Sequence, residues 1–170
     1  MNTPTMIGSV IFVCLLVVLI GVVIRLMMRG WRRRAALQES LIGMLPMVPD
    51  TVGAPTVAAT RGMYLGCTLV PNWNDRVVVG DLGYRTKAVL TRYPEGIMVQ
   101  RSGARPIWIP QDALVAVRAE SGIAGRAIPS RGSGGGVLAI RWRLPSNTEI
   151  DTGFRADDRA EHTRWLKGDT

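Results

Sequence analysis

Hydrophobic residues fall into stretches of different period along this chain, and each period predicts a different element. From Met6 to Ile24, nineteen consecutive residues carry no charge. Val, Ile and Leu occupy every face, so no polar stripe marks a globular surface helix. A helix of that length spans about 28 Å at ~1.5 Å per residue, close to one bilayer hydrocarbon core. A lone segment in lipid satisfies its backbone only as a helix. The pattern therefore predicts a membrane-spanning helix over residues 6–28.

Beyond it, residues 31–45 place Leu37, Leu41, Met44 and Leu45 at helical spacing. This predicts a basic juxtamembrane helix over 29–45, ended by Pro46 and Pro49. Residues 46–62 hold three prolines and two glycines and read as an extended, mobile linker.

The rest alternates with period two. Met63, Leu65, Cys67 and Leu69 predict the inner face of a first strand, broken at Pro71-Asn72-Trp73-Asn74. Residues 76–83 stay ambiguous, because Gly80 and Gly83 limit Val77-Val78-Val79 as a strand. Strands over 87–93 and 97–101 form a hairpin, with Tyr93-Pro94-Glu95-Gly96 suited to a type I turn. Ile107–Ile109 is a strand that Pro110 places near an edge. Leu114–Ala119 follows, then a polar loop over 120–136 with six glycines. In Val137–Leu144, Leu138, Ile140, Trp142 and Leu144 share one face. In Thr148–Phe154, Ile150, Thr152 and Phe154 do the same. Asp157 is the expected N-cap of a final helix reaching Lys167, with Trp165 and Leu166 to pack. Short antiparallel strands closed by a helix imply a mainly β fold, a bent barrel or sandwich.

Charge adds the orientation. Net charge is +8. Residues 1–62 hold six arginines against Glu39 and Asp50, a net +4, and the remainder also nets +4. Arg25, Arg29, Arg32, Arg33 and Arg34 crowd the C-terminal end of the apolar run, and no basic residue precedes it. The positive-inside rule then puts residues 1–5 outside and everything after the helix in the cytoplasm, at a plasma (inner) membrane. Trp31 suits the interface beside these arginines, which can also hold anionic lipid. The run is too long for a cleaved signal and lacks a basic n-region, so the anchor is expected to stay. Val13 before Cys14 argues against a lipoprotein site. Cys14 and Cys67 fall in different compartments and form no disulfide; both read as small apolar residues.

The stretch from Tyr64 resembles the actinobacterial membrane-anchored PH-like domain family. The resemblance rests on Tyr64-Leu65-Gly66-Cys67-Thr68, Trp73, Asp75-Arg76, Leu82-Gly83-Tyr84-Arg85, Gly96, Ile109-Pro110, Ala124-Gly125-Arg126 and Thr152-Gly153-Phe154-Arg155. It implies a PH-like domain over 63–170: two nearly orthogonal sheets, seven strands, and a C-terminal helix plugging one corner. Members of that family are often labelled transport or export proteins. One helix cannot line a solute path alone, and no paired broken helices occur here.

Candidate chemistry is sparse. His162 is the sole histidine and reads as a solvated helix residue. No catalytic set, metal cluster or cofactor motif is present, which points away from an enzyme. The run Arg131–Gly136 lacks the Lys-Ser/Thr of a P-loop. It reads as a flexible hairpin loop, or as a ligand loop in which Arg126 and Arg131 touch phosphate. Arg118, Arg141 and Arg143 share an expected outer face, either balanced by Glu149 and Asp151 or docking on anionic lipid or an acidic partner. Nucleic acid is disfavoured, because aromatics do not cluster with the arginines. The expected function is a membrane-anchored, non-enzymatic binding or scaffold module with a cytoplasmic or membrane protein partner. Alternatives are an anionic-lipid sensor or an accessory subunit of a transport system. A periplasm-active reporter fused to Thr170 is expected to stay silent; activity there would reverse the topology.

Overall fold

The computed structural model describes residues 3–72, 74–127 and 136–167, with the backbone alone at 3–7, 31, 33–37, 126–127 and 159. The chain divides into two units, Met1–Leu37 and Gln38–Thr170. Helix α1 runs Thr3–Ile42. Within it Gly8–Gly30 is long and apolar enough to cross a membrane, with a mean hydropathy of 3.1 and its side chains exposed. Arg25, Arg29 and Arg32 are exposed as well, while the side chains of Trp31, Arg33 and Arg34 lie outside the described residues.

The second unit begins with the last residues of α1. Gly43, at φ +61°, ends the helix and donates its N–H to the Glu39 carbonyl at 2.9 Å. That is a left-handed C-cap, three residues ahead of the proline expected to stop the helix. The residue that docks is Ile42, fully buried, whereas Leu41 and Met44 of the expected stripe are exposed. Gln38 adds a two-way clamp: its Nε2 donates to the Arg76 carbonyl at 3.2 Å, and its Oε1 accepts from Val78 N–H at 2.9 Å.

Residues 43–56 have no regular secondary structure. They are nonetheless tied down, Gly53 N–H to the Glu95 carboxylate at 3.1 Å and Thr56 N–H to the Arg92 carbonyl at 2.9 Å. Strand β1 then spans Val57–Leu69, starting six residues earlier than Met63. Val57–Arg61 are mostly exposed, so alternation could not announce them.

The remaining strands are β2 (Thr86–Tyr93), β3 (Gly96–Arg101), β4 (Ile107–Pro110), β5 (Leu114–Glu120), β6 (Gly122–Ile123), β7 (Arg126–Ala127), β8 (Val137–Arg143) and β9 (Glu149–Ala156). Seven of them make one antiparallel sheet in the order β4-β3-β2-β1-β9-β8-β5. Pro94-Glu95 joins β2 to β3 as a hairpin. The edge position of β4 agrees with Pro110. Strands β6 and β7 form a separate two-stranded hairpin inside the expected loop. Residues 128–135, Arg131 among them, lie outside the described residues, as does the Arg126 side chain.

Strand β1 serves both halves of the sheet, pairing with β2 over 57–64 and with β9 over 62–69. At the overlap, a Cβ on Gly62 would sit 2.2 Å from the Arg155 carbonyl oxygen, so only glycine fits. The β1–β9 register shifts between Tyr64 and Gly66, and Gly66 takes φ +119°. One residue is extra there, which reverses parity. Tyr64 and Cys67 therefore both enter the main core, while Leu65 turns to the other face, buried in a second cluster with Ile123, Val137 and Ala139 against which Met63 packs. Strict alternation put Met63, Leu65, Cys67 and Leu69 on one face; the bulge overturns that reading.

Inside, Leu138, Ile140 and Trp142 lie opposite Phe154, Thr152 and Ile150. Residues 157–161 turn through a short 3-10 helix into α2, His162–Lys167. Asp158 caps this turn, its Oδ1 accepting from Ala160 N–H at 2.9 Å, while Asp157 donates its own N–H to the Arg61 carbonyl. Trp165 is buried in the core and donates Nε1–H to Thr60 Oγ1 at 3.0 Å, closing the fold.

A polar chain crosses this core. Trp142 Nε1 lies 2.9 Å from Thr152 Oγ1, which lies 3.2 Å from Cys67 Sγ. Cys67 Sγ lies 3.2 Å from Tyr64 Oη, which donates to the Leu82 carbonyl at 2.6 Å. An indole N–H only donates and a carbonyl only accepts. Each hydroxyl and the thiol carry one proton, so the direction is forced from Trp142 to Leu82. Cys67 is thus a relay and not just a small apolar residue. Tyr64→Phe leaves the Leu82 carbonyl and the Cys67 thiol unmatched, so unfolding free energy is expected to fall by about 2 kcal/mol in chemical denaturation.

Candidate functional site

Three arrangements in the second unit bear on function. The first is the face with Arg118, Arg141 and Arg143. Cross-strand pairing sets Arg141 opposite Asp151 and Arg143 opposite Glu149. Arg141 donates to both oxygens of Asp151 at 3.0 Å, and Arg118 reaches the same carboxylate at 2.6 and 3.2 Å. Arg118 also holds Glu120 at 2.6 Å, and Arg143 holds Glu149 at 2.9 Å. Each of the three arginines therefore already has a carboxylate partner. Burial pushes the Asp151 carboxyl up, but hydrogen bonds from Arg141 and Arg118 outweigh it and hold the group below its usual value.

A cavity of about 390 Å³ opens beside this cluster, lined by Arg118, Arg141, Asp151, Ser121 and Ile123. Its wall is the β6–β7 hairpin, pinned where Ile123 packs on Gly153; a Cβ on Gly153 would meet Ile123 Cγ2 at 2.6 Å.

The second arrangement escaped sequence reasoning. Arg101 is fully buried, with its guanidinium 5.0 Å from the Tyr64 ring centroid. It pairs with Asp81 at 2.9 Å and donates to the backbone carbonyls of Asp81 and Arg105, each at 2.6 Å. Arg76 likewise donates to the Gly83 carbonyl. These bonds fasten residues 76–83, the stretch that alternation left ambiguous and that carries no strand. A lone arginine closing a strand gives no sequence signal that it turns inward.

The third is a second basic face, on β1, β2 and β9. Met63 lies directly opposite both Lys87 and Arg155, and Arg61 lies opposite Val89. The Arg85 Nε sits 2.7 Å from the Met63 sulfur. Arg61, Arg85, Lys87 and Arg155 are all exposed. A groove of about 510 Å³ opens on this side, lined by Arg61, Met63, Lys87 and Val89. The sequence signal existed, in basic residues flanking Met63 and Lys87, but it needed the bulge to show that Met63 points outward.

Catalytic groups do not converge. His162 is buried, not solvated, and its Nε2 accepts from Ala156 N–H at 3.1 Å. Its ring belongs to the seam between β9 and α2. Burial pushes the Cys67 thiol up and keeps it from acting as a thiolate nucleophile. Cys14 and Cys67 are both free thiols. Among the described residues no three of His, Cys, Asp and Glu group as metal ligands.

The profile of the bacterial PH domain-like family matches residues 42–169. The chain belongs to that family. The match opens at Ile42, the residue that plants the end of α1 in the core, and covers residues 46–62 as well. No curated protein matches the chain.

The PH-like domain's acid sensitivity follows from Asp151. A carboxylate with a depressed folded pKa stabilises the fold above its unfolded pKa and loses that contribution as pH falls through the folded value. Below about pH 4, the unfolded aspartate range, wild-type stability is expected to drop more steeply than that of Asp151→Asn. At neutral pH the same substitution is expected to cost about 2 kcal/mol in denaturant titration, since half-buried Arg141 loses its carboxylate and Arg118 keeps only Glu120.

Proposed function

We propose that this chain is a single-pass plasma-membrane protein whose bacterial PH-like domain faces the cytoplasm and binds a protein partner there, without catalysing a reaction. One observation carries the reading: an exposed apolar helix and a PH-like domain occupy one chain, and the domain's buried titratable groups are spent on structure. His162, Cys67, Asp151, Asp81 and Arg101 are each engaged in holding elements together. What is left for function is surface. The arginines after the apolar run support the cytoplasmic orientation.

A second reading, an anionic-lipid sensor, draws support from Arg25, Arg29 and Arg32, exposed at the end of the candidate span. A role as accessory subunit of a transport system fits the single helix and needs a polytopic partner.

In-cell crosslinking followed by mass spectrometry tests the main reading. A specific protein should be recovered with the full chain and lost when residues 57–170 are removed while the anchor is kept. Recovery unchanged by that deletion would falsify a partner-binding domain.

A further inference from the structure

Resting on the reading of a protein-binding domain, we infer that its partner presents an acidic segment, taken up by the groove lined by Arg61 and Lys87 on the sheet face that also carries Arg155. The two basic faces of the domain differ in kind. On one, Arg118, Arg141 and Arg143 are matched by Asp151, Glu120 and Glu149. On the other, no salt bridge to a carboxylate among the described residues involves Arg61, Arg85, Lys87 or Arg155. The pairing Lys87–Met63–Arg155 sets two of these cations on strands flanking β1, about 10 Å apart at ~4.8 Å per strand. Arg61 is two residues along β1 on the same face, about 7 Å from Met63. Arg85 lies against Met63 itself. Asp157 is the acidic side chain lining the groove, so a clear positive excess remains. Like charges held this close favour a multivalent anion.

Shape selects the source of that anion. The groove is concave, with Met63 and Val89 lining it and Gln100 and Ser102 offering hydrogen-bonding groups. A planar bilayer cannot reach its floor. An extended peptide can, because alternate side chains point to one side and can present carboxylates to the cations and an apolar group to Met63 and Val89. Backbone groups of such a segment can pair with Gln100 and Ser102.

The test uses the full chain in phosphatidylcholine nanodiscs and a dye-labelled peptide, Glu-Ser-Leu-Ser-Glu-Ser-Leu-Ser-Glu, followed by fluorescence anisotropy at low salt. Binding is expected, weakened about tenfold by the double variant Arg61→Glu/Arg155→Glu. Arg85→Gln/Lys87→Gln should weaken it in the same direction, with near-UV circular dichroism unchanged in both. Arg105→Glu/Arg143→Glu removes as much net charge elsewhere and should leave affinity within about twofold. No binding by the wild type, or equal losses in the Arg61/Arg155 and Arg105/Arg143 variants, would overturn the assignment. So would loss of peptide binding when the discs contain phosphatidylglycerol, because the bilayer would then be the occupant. None of these results alters the crosslinking outcome for residues 57–170, so the two readings fail separately.

Discussion

Strand β1 must belong to both halves of the sheet, and the bulge at Leu65–Gly66 is what permits it. Thirteen residues pair first with β2 and then with β9, and the two pairings overlap at Gly62 to Tyr64. A regular strand there would point Tyr64 and Cys67 to opposite sides of the sheet. The extra residue turns both inward, where they join Thr152 and Trp142 into one directed chain of hydrogen bonds. That chain ends on the Leu82 carbonyl and so adds to the Arg101, Arg76 and Gln38 bonds that hold this irregular segment. The inner and outer faces of the domain are both consequences of this single irregularity.

The same geometry sorts the charges. Arg101 faces inward beside Tyr64, and its burial is offset by Asp81, two backbone carbonyls and the aromatic ring. Burial of Asp81 works against ionisation, but hydrogen bonds from Arg101 and the Arg105 backbone prevail and keep the carboxyl low. Removing either partner would leave an uncompensated buried charge, which is why such a pair is costly to break even where it adds little net stability. Outward-facing cations escape that cost. Those on β5 and β8 meet carboxylates across the strands, while those around Met63 meet an apolar thioether. Among the described residues, Arg61, Arg85, Lys87 and Arg155 thus form a basic cluster on one side of β1 without a carboxylate partner.

How far the sequence reaches follows from these cases. Strands β8 and β9 were legible because each buries one face without interruption, so Leu138, Ile140 and Trp142 repeat with period two. The seven-strand count and the closing helix followed from that regularity and from the turn residues between strands. Strand β1 misled because a bulge changes parity without changing composition. His162 misled because a polar residue on a short helix reads as solvated, and only the contact with Ala156 shows it inside. Ile42 was overlooked because it follows a strongly apolar and basic run whose logic is that of a membrane. Partners of Arg118 and Arg141 could be guessed, since Asp151 lies opposite Arg141 across a hairpin. The groove could not, because it needs three strands in register.

Covalent tethering explains why a shallow charged groove can suffice in the proposed role. Only seven residues, 31–37, lie between Gly30 and Gln38 in the chain. In the proposed role, a partner at the same membrane would meet the groove at an effective concentration set by the tether and not by the bulk. Exposed ion pairs contribute only ~0.2–1 kcal/mol each, so a handful of them gives weak binding in free solution. In the proposed role, confinement beside a bilayer would make the same contacts adequate. They also remain sensitive to salt and to any competing anion, because the cations are solvated. A deep apolar pocket would bind more tightly and release more slowly. A short tether combined with a solvated basic groove would therefore make the proposed capture reversible and not permanent.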